Sequence, residues 1–195
     1  MSESGPEWPG RLPGKLPIAF WLIPAQPQLD QFRALISSLA REYDAPVFEP
    51  HITLHVGLRT ARDDIAELLR RVAAASEPIP LVAGNTSHSD ALFKTLFVEF
   101  YDSKIRDSEL RALHCQFQAG LQRFSEYALA SHLSLLYKEV PAGSRAALAE
   151  RHVYAGQRIV FDTVAAVRPA PEQSDWSEIQ RWDSSLRRSL RPTQA

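Results

Sequence analysis

An α+β fold in two facing lobes is what this sequence predicts, and three observations carry the prediction. Segments of strand-like character alternate with segments of helical periodicity in the order β α β α β β α β α β β. A histidine–apolar–hydroxyl–apolar pattern occurs twice, as "HITL" at 51–54 and "HLSL" at 132–135, each time in a strand-like run followed by a helix. At 195 residues and 45% hydrophobic, the chain can fill a core without a metal or disulfide staple. The expected organisation is a loosely ordered Pro/Gly-rich leader at 1–15 and a single bilobal domain at 16–190, with one motif per lobe.

Each element has its own warrant. "LPIAFWLI" (16–23) has the length and composition of a buried strand, stopped by Pro24. "PQLDQFRALISSLAREY" spaces Leu29, Phe32, Leu35, Ile36 and Leu39 as one helical face. "HITLHVGL" follows as a strand, and Pro50 favours an extended approach to it. "TARDDIAELLRRVAAASE" is expected to be a helix capped by Thr60, with Asp63 and Asp64 in its first turn. "IPLVAGNTSHSD" and "ALFKTLFVEFY" read as two strands, and "SKIRDSELRALHCQFQAGLQRF" as a third helix. "HLSLLYKEV" is the second motif strand, and "PAGSRAALAERHV" is a short helix with Pro141 near its start. "GQRIVFDTVAAVRP" and "WSEIQRWDSSLR" read as closing strands around a loop at "APEQSD".

Composition narrows the function. The single cysteine, Cys115, excludes an intrachain disulfide, and its helical surroundings predict a buried small side chain. A formal charge of −1 argues against a grip on long nucleic acid, so a phosphorylated ligand is expected to be small. The basic end "LRRSLRP" reads as a solvated tail. The longest apolar run, "IAFWLIPA", is too short to span a bilayer, and the leader has no signal-peptide core. A cytoplasmic monomer without membrane attachment is the expectation.

In a strand, residues i and i+2 share a face, so His51 projects with Thr53 and His132 with Ser134. If the two strands meet across a cleft, two imidazoles and two hydroxyls converge. That set suits phosphodiester hydrolysis: one histidine takes a proton from water, the other protonates the leaving oxygen, and the hydroxyls bond the non-bridging oxygens. A single such tripeptide is more often an ordinary histidine on a sheet face; two in equivalent settings are hard to dismiss that way. A shared metal on His51 and His55 is excluded, because four strand residues separate them by about 13 Å. His55 is expected to line the inner sheet surface or pair with a neighbour. No GxSxG elbow, GxxxxGK[ST] loop or GxGxxG fingerprint occurs, so no cofactor is expected.

With these residues in view, "PHITLHVG" and "SHLSLLY" resemble the paired motifs of the 2H phosphoesterase superfamily, and more narrowly its cyclic phosphodiesterase family. The likeness runs from about Ala19 to Trp182 and includes "FWLIP", "FKTLFVEF" and "HLSLLYKEV". It implies two antiparallel sheets facing across a central cleft, with helices on the outer faces. It further implies metal-independent opening of nucleoside 2′,3′-cyclic phosphates to 2′-phosphates, and of ADP-ribose 1″,2″-cyclic phosphate to the 1″-phosphate. By position His51 and His132 match the catalytic histidines, and Thr53 and Ser134 the phosphate-binding hydroxyls. Trp21, Phe93 and Tyr137 match substrate-binding aromatics. Tyr137 stands at an odd offset from His132, so it can join them only if the strand ends or bends first. Alternation would turn Lys94 away from Phe93, so Lys94 is left outside the site. The cysteines of plant members are missing here, and disulfide-based redox control is not carried over. An RNA-end-processing enzyme of the same superfamily, or a binding module for phosphorylated nucleotides, is the alternative reading.

Overall fold

The computed structural model describes residues 16–101, 106–121, 127–169 and 182–191. The leader at 1–15 and the loop at 170–175 lie outside them. Seven strands are present among the described residues: β1 (Leu16–Pro24), β2 (Ile52–Arg59), β3 (Ile79–His88), β4 (Leu96–Tyr101), β5 (His132–Leu136), β6 (Arg158–Pro169) and β7 (Trp182–Ser189). Four helices join them: α1 (Gln28–Tyr43), α2 (Ile65–Ala74), α3 (Arg106–Gly120) and α4 (Ala142–Arg151).

Every strand pair is antiparallel, and the order is β1-β2-β5-β4-β3-β6-β7. A further pairing of β1 with β6 closes a hydrogen-bonded circuit through six strands. The two expected sheets are the two halves of this ladder. β6 belongs to both: Arg158–Phe161 pair with β3, and its continuation pairs with β1 and β7. On the other side the halves meet at a narrow seam, where β2 and β5 share the single described pair Ile52↔Leu133.

One face of the ladder carries the main core. Ile18, Phe20 and Leu22 of β1, Ile52 and Leu54 of β2, and Leu133 and Leu135 of β5 are all buried there. The helices cover this face, α1 against β5 and β1, α2 against β6 and β7, α3 against β2 and β3, and α4 against β3 and β4. The intervening residues turn to the opposite face, where Ala19, Trp21 and Ile23 pack with Ala165 and Val167 in a smaller cluster. The candidate site residues lie on that second face.

Several elements depart from expectation, each for a local reason. The cap of α2 falls later than expected: Asp64, not Thr60, provides it, its carboxylate accepting from Glu67 N–H at 3.0 Å. Thr60 instead closes a preceding turn, its N–H donating to Asp63 at 2.5 Å. "LFK" is a 3-10 turn, Leu92–Lys94, rather than the start of a strand. It is held by Thr95 and Ser89, whose hydroxyls donate to the carbonyls of Leu92 and Lys94. Cys115 is exposed, because it lies between the core-facing Leu113 and Phe117 on α3. The basic end is not a tail: Leu186–Ser189 complete β7, Leu190 is buried, and Arg187 pairs with Glu49 at 2.9 Å.

Candidate active site

The seam between β2 and β5 is where the two motifs meet. Ile52 and Leu133, the paired residues, are the middle residues of His-Ile-Thr and His-Leu-Ser. Their side chains point into the core, so the flanking residues point to the open face. The antiparallel sense then sets His51 on the Ser134 side and Thr53 on the His132 side, relating the tripeptides by a local two-fold.

The histidines are held alike. His51 Nδ1 meets the Glu49 carbonyl at 2.6 Å, and His132 Nδ1 meets the Ala130 carbonyl at 3.0 Å. A carbonyl only accepts, so each Nδ1 carries the proton and donates, leaving each neutral ring its Nε2 as a free acceptor. Burial disfavours the charged imidazolium and lowers both to a pKa of about 4. The nearby His132 lowers His51 further, and Lys94 does the same to His132.

Trp21 sits opposite Thr53 across β1 and β2, and its indole stacks on His51 with centroids 3.6 Å apart and planes 9° apart. Glu49, whose carbonyl steadies His51, is itself clamped by Arg33 at 2.6 Å and Arg187 at 2.9 Å. Burial raises its carboxyl pKa, but the two guanidiniums more than offset this and leave it below the usual range.

On the other half, Ser134 is buried and donates to the Phe93 carbonyl at 2.8 Å. The Tyr137 phenol lies beside Ser134, whose hydroxyl lowers its pKa. Burial outweighs this and raises the phenol to about 12. Tyr137 meets the condition its odd offset set: β5 ends at Leu136, so the tyrosine turns back beside Ser134. It stacks on Phe48 at 3.8 Å and meets the edge of Phe93 at 5.6 Å. Thr53 has no side-chain partner among the described residues, so its hydroxyl is open to a ligand.

His55 is the exception. A bulge in β2 sets Phe20 opposite His55 and Trp21 opposite Thr53, with Leu54 the extra residue. The bulge reverses the alternation, so His55 faces the core, fully buried, against His114 and Tyr127. Neither of its ring nitrogens has a hydrogen-bond partner among the described residues.

Three nearby residues were not found from sequence, and Lys94, set aside there, also lies close. Phe48 stacks on Tyr137; Tyr127 donates from its hydroxyl to the Thr53 carbonyl at 3.3 Å. Phe97, paired with Ser134 across β4 and β5, meets His132 at 5.5 Å, and Lys94 lies 4.8 Å above the Phe97 ring. Phe97 had a readable signal, since it lies on an alternating strand; Phe48 and Tyr127 come from irregular segments and had none.

A seven-stranded antiparallel ladder with a histidine–hydroxyl pair on each side of a central seam defines a 2H phosphoesterase. Within that superfamily the chain belongs to the cyclic phosphodiesterase-like protein family, which it matches over residues 16–177. Solved structures agree on the fold. LigT of E. coli in complex with 3′-AMP is 13% identical, with a TM-score of 0.58, covering 90% of this chain and 98% of that one. TT0787 of Thermus thermophilus is 15% identical, also at 0.58, covering 92% and 100%. LigT in complex with phosphate is 12% identical at 0.55, covering 91% and 98%. No curated protein matches the chain by sequence.

Proposed function

We propose that this phosphodiesterase-like chain is a metal-independent hydrolase of small cyclic phosphates. It converts nucleoside 2′,3′-cyclic phosphates to 2′-phosphates, ADP-ribose 1″,2″-cyclic phosphate to the 1″-phosphate, or both. One observation supports this above the others: two imidazoles on either side of the Ile52–Leu133 pair, each anchored through Nδ1 and each with a free Nε2.

In the proposed reaction the phosphate lies between the two motifs. Its non-bridging oxygens accept hydrogen bonds from Thr53 and from Ser134, whose proton leaves the Phe93 carbonyl for the anion. Water attacks phosphorus as His132 Nε2 takes its proton. The opposite P–O bond breaks, and His51 gives its Nε2 proton to the leaving oxygen, O3′ of a nucleotide or O2″ of ADP-ribose. The His51 proton comes with binding, because an anion beside the ring favours imidazolium against the cost of burial. Trp21, stacked on His51, fixes that ring's plane. Phe93 and Tyr137 offer aromatic surface to the base or sugar.

The test uses purified protein in EDTA, a panel of 2′,3′-cyclic nucleotides and ADP-ribose 1″,2″-cyclic phosphate, with products located by phosphorus NMR. Turnover to the 2′- or 1″-phosphate is expected, with His51→Ala and His132→Ala each losing about 10²–10⁴ in rate. Absence of turnover on the whole panel, or full activity in either variant, would refute the two-histidine hydrolase.

A further inference from the structure

Among the described residues, Lys94 carries a positive charge that no acid balances. It ends the 3-10 turn whose Phe93 carbonyl accepts from Ser134, so its backbone is fixed beside the phosphate-binding hydroxyl. The side chain is half-buried and its ammonium lies over the Phe97 ring. Glu99, two positions beyond Phe97 and paired with His132 across the strands, does not reach it. A cation–π contact recovers only part of the hydration an ammonium loses on entering a cleft. The arrangement is therefore that of a cation kept for an anion.

That anion is not the phosphate at the histidines, which has Thr53, Ser134 and both imidazoles around it. The Phe97 ring touches both the Lys94 ammonium and the His132 imidazole. With ring contacts of 4.8 Å and 5.5 Å, the ammonium lies no more than about 10 Å from the His132 ring, a span that a ribose carrying two phosphates can cover. Resting on the cyclic-phosphate reading of the site, we propose that Lys94 binds a second phosphate, carried on the 5′ carbon of the same ribose. Lys94 then selects substrates with a 5′-phosphoryl group over those ending in a 5′-hydroxyl. A 5′-phosphorylated nucleotide and the diphosphate arm of ADP-ribose share this chemistry.

Calorimetric binding of three product-like ligands tests it without requiring turnover. Adenosine 2′-phosphate, adenosine 2′,5′-bisphosphate and ADP-ribose 1″-phosphate are titrated into wild type, Lys94→Met and Lys94→Arg, each verified as folded by its thermal transition. Wild type should bind the two ligands with a 5′-phosphoryl group about 10- to 100-fold more tightly than the first, as one charge-assisted contact implies. Lys94→Met should reduce that preference to about twofold or less, and Lys94→Arg should retain most of it. The tighter of the two identifies which source the site favours. The inference is overturned if wild type shows no preference, or if the preference survives in Lys94→Met. It is equally overturned if Lys94→Met weakens all three ligands alike, for the lysine would then act only through His132. A wild type without the preference that still turns over cyclic substrates overturns this inference and leaves the hydrolase reading intact; an intact preference without turnover does the reverse.

Discussion

His51 and His132 are neutral at pH 7 in the free protein, since burial lowers each to about 4. The proposed reaction needs one of them charged. An anionic substrate supplies the missing stabilisation of imidazolium, so the pair should titrate higher in the complex than alone. Both kcat/KM and kcat should be bell-shaped in pH, with the kcat/KM optimum on the acid side of the kcat optimum, since the first reports the free protein and the second the complex. Full profiles on one cyclic substrate check this. Coincident optima, or a kcat flat from pH 5 to 9 with chemistry rate-limiting, would count against the pair.

The β2 bulge is the element whose effect was least legible in the sequence. "HITLHV" alternates without interruption in its letters, so His55 reads as sharing a face with His51; one extra residue in the ladder reverses that and leaves no mark in composition. The bulge buries an imidazole whose nitrogens have no hydrogen-bond partner among the described residues, and burial, followed by the neighbouring His114, lowers its pKa to about 4. Because the folded value lies below the unfolded one near 6.5, the neutral ring's contribution is complete above about pH 6.5 and is lost as pH falls toward 4. For His55 alone the loss should reach about 2 kcal/mol at pH 5. Thermal melts at pH 7 and pH 5 should show His55→Leu losing less stability than wild type over that interval; an equal loss would mean the buried ring is not the acid-sensitive group. Gly57 belongs to the same feature, since a Cβ there would meet Leu121 at 2.7 Å and His55 at 3.3 Å. The 3-10 turn escaped sequence reading for a similar reason. "LFK" continues an apolar run, and the Ser89 and Thr95 hydroxyl bonds that curl it depend on the fold. The motif strands, by contrast, were plain, because each sets apolar residues against one face and chemistry against the other.

At the scale of the whole molecule, surface charge argues for small ligands. Arg33 and Arg187 are taken up by Glu49, Arg70 by Glu67, Arg151 by Glu42, and Lys138 lies beside Asp44. With a formal charge of −1, the chain as a whole has no cationic excess for a long phosphate backbone, and we propose that its ligands are small. Binding to a single-stranded RNA oligonucleotide should be weak, and its affinity should fall with salt as for only one or two phosphate contacts. A steep salt dependence of tight binding would favour an RNA-end enzyme. The two-lobed plan was visible from the repeated motif, but its closure through β6 was not, since pairing between distant strands is set by no local pattern.

That closure also fixes when the site can exist. Ala19 pairs with Val167, and His51 meets its counterpart only through a strand that begins at His132. During synthesis, β1 and β2 can pair with each other early but must wait through most of the chain for their second partners, β6 and β5, with Phe20, Leu22 and Leu54 incompletely covered meanwhile. Contacts so remote along the sequence make for slow folding and a long interval of exposed apolar surface. A shortened chain that stops before β6 would hold both histidines and still lack the closed circuit that sets them side by side.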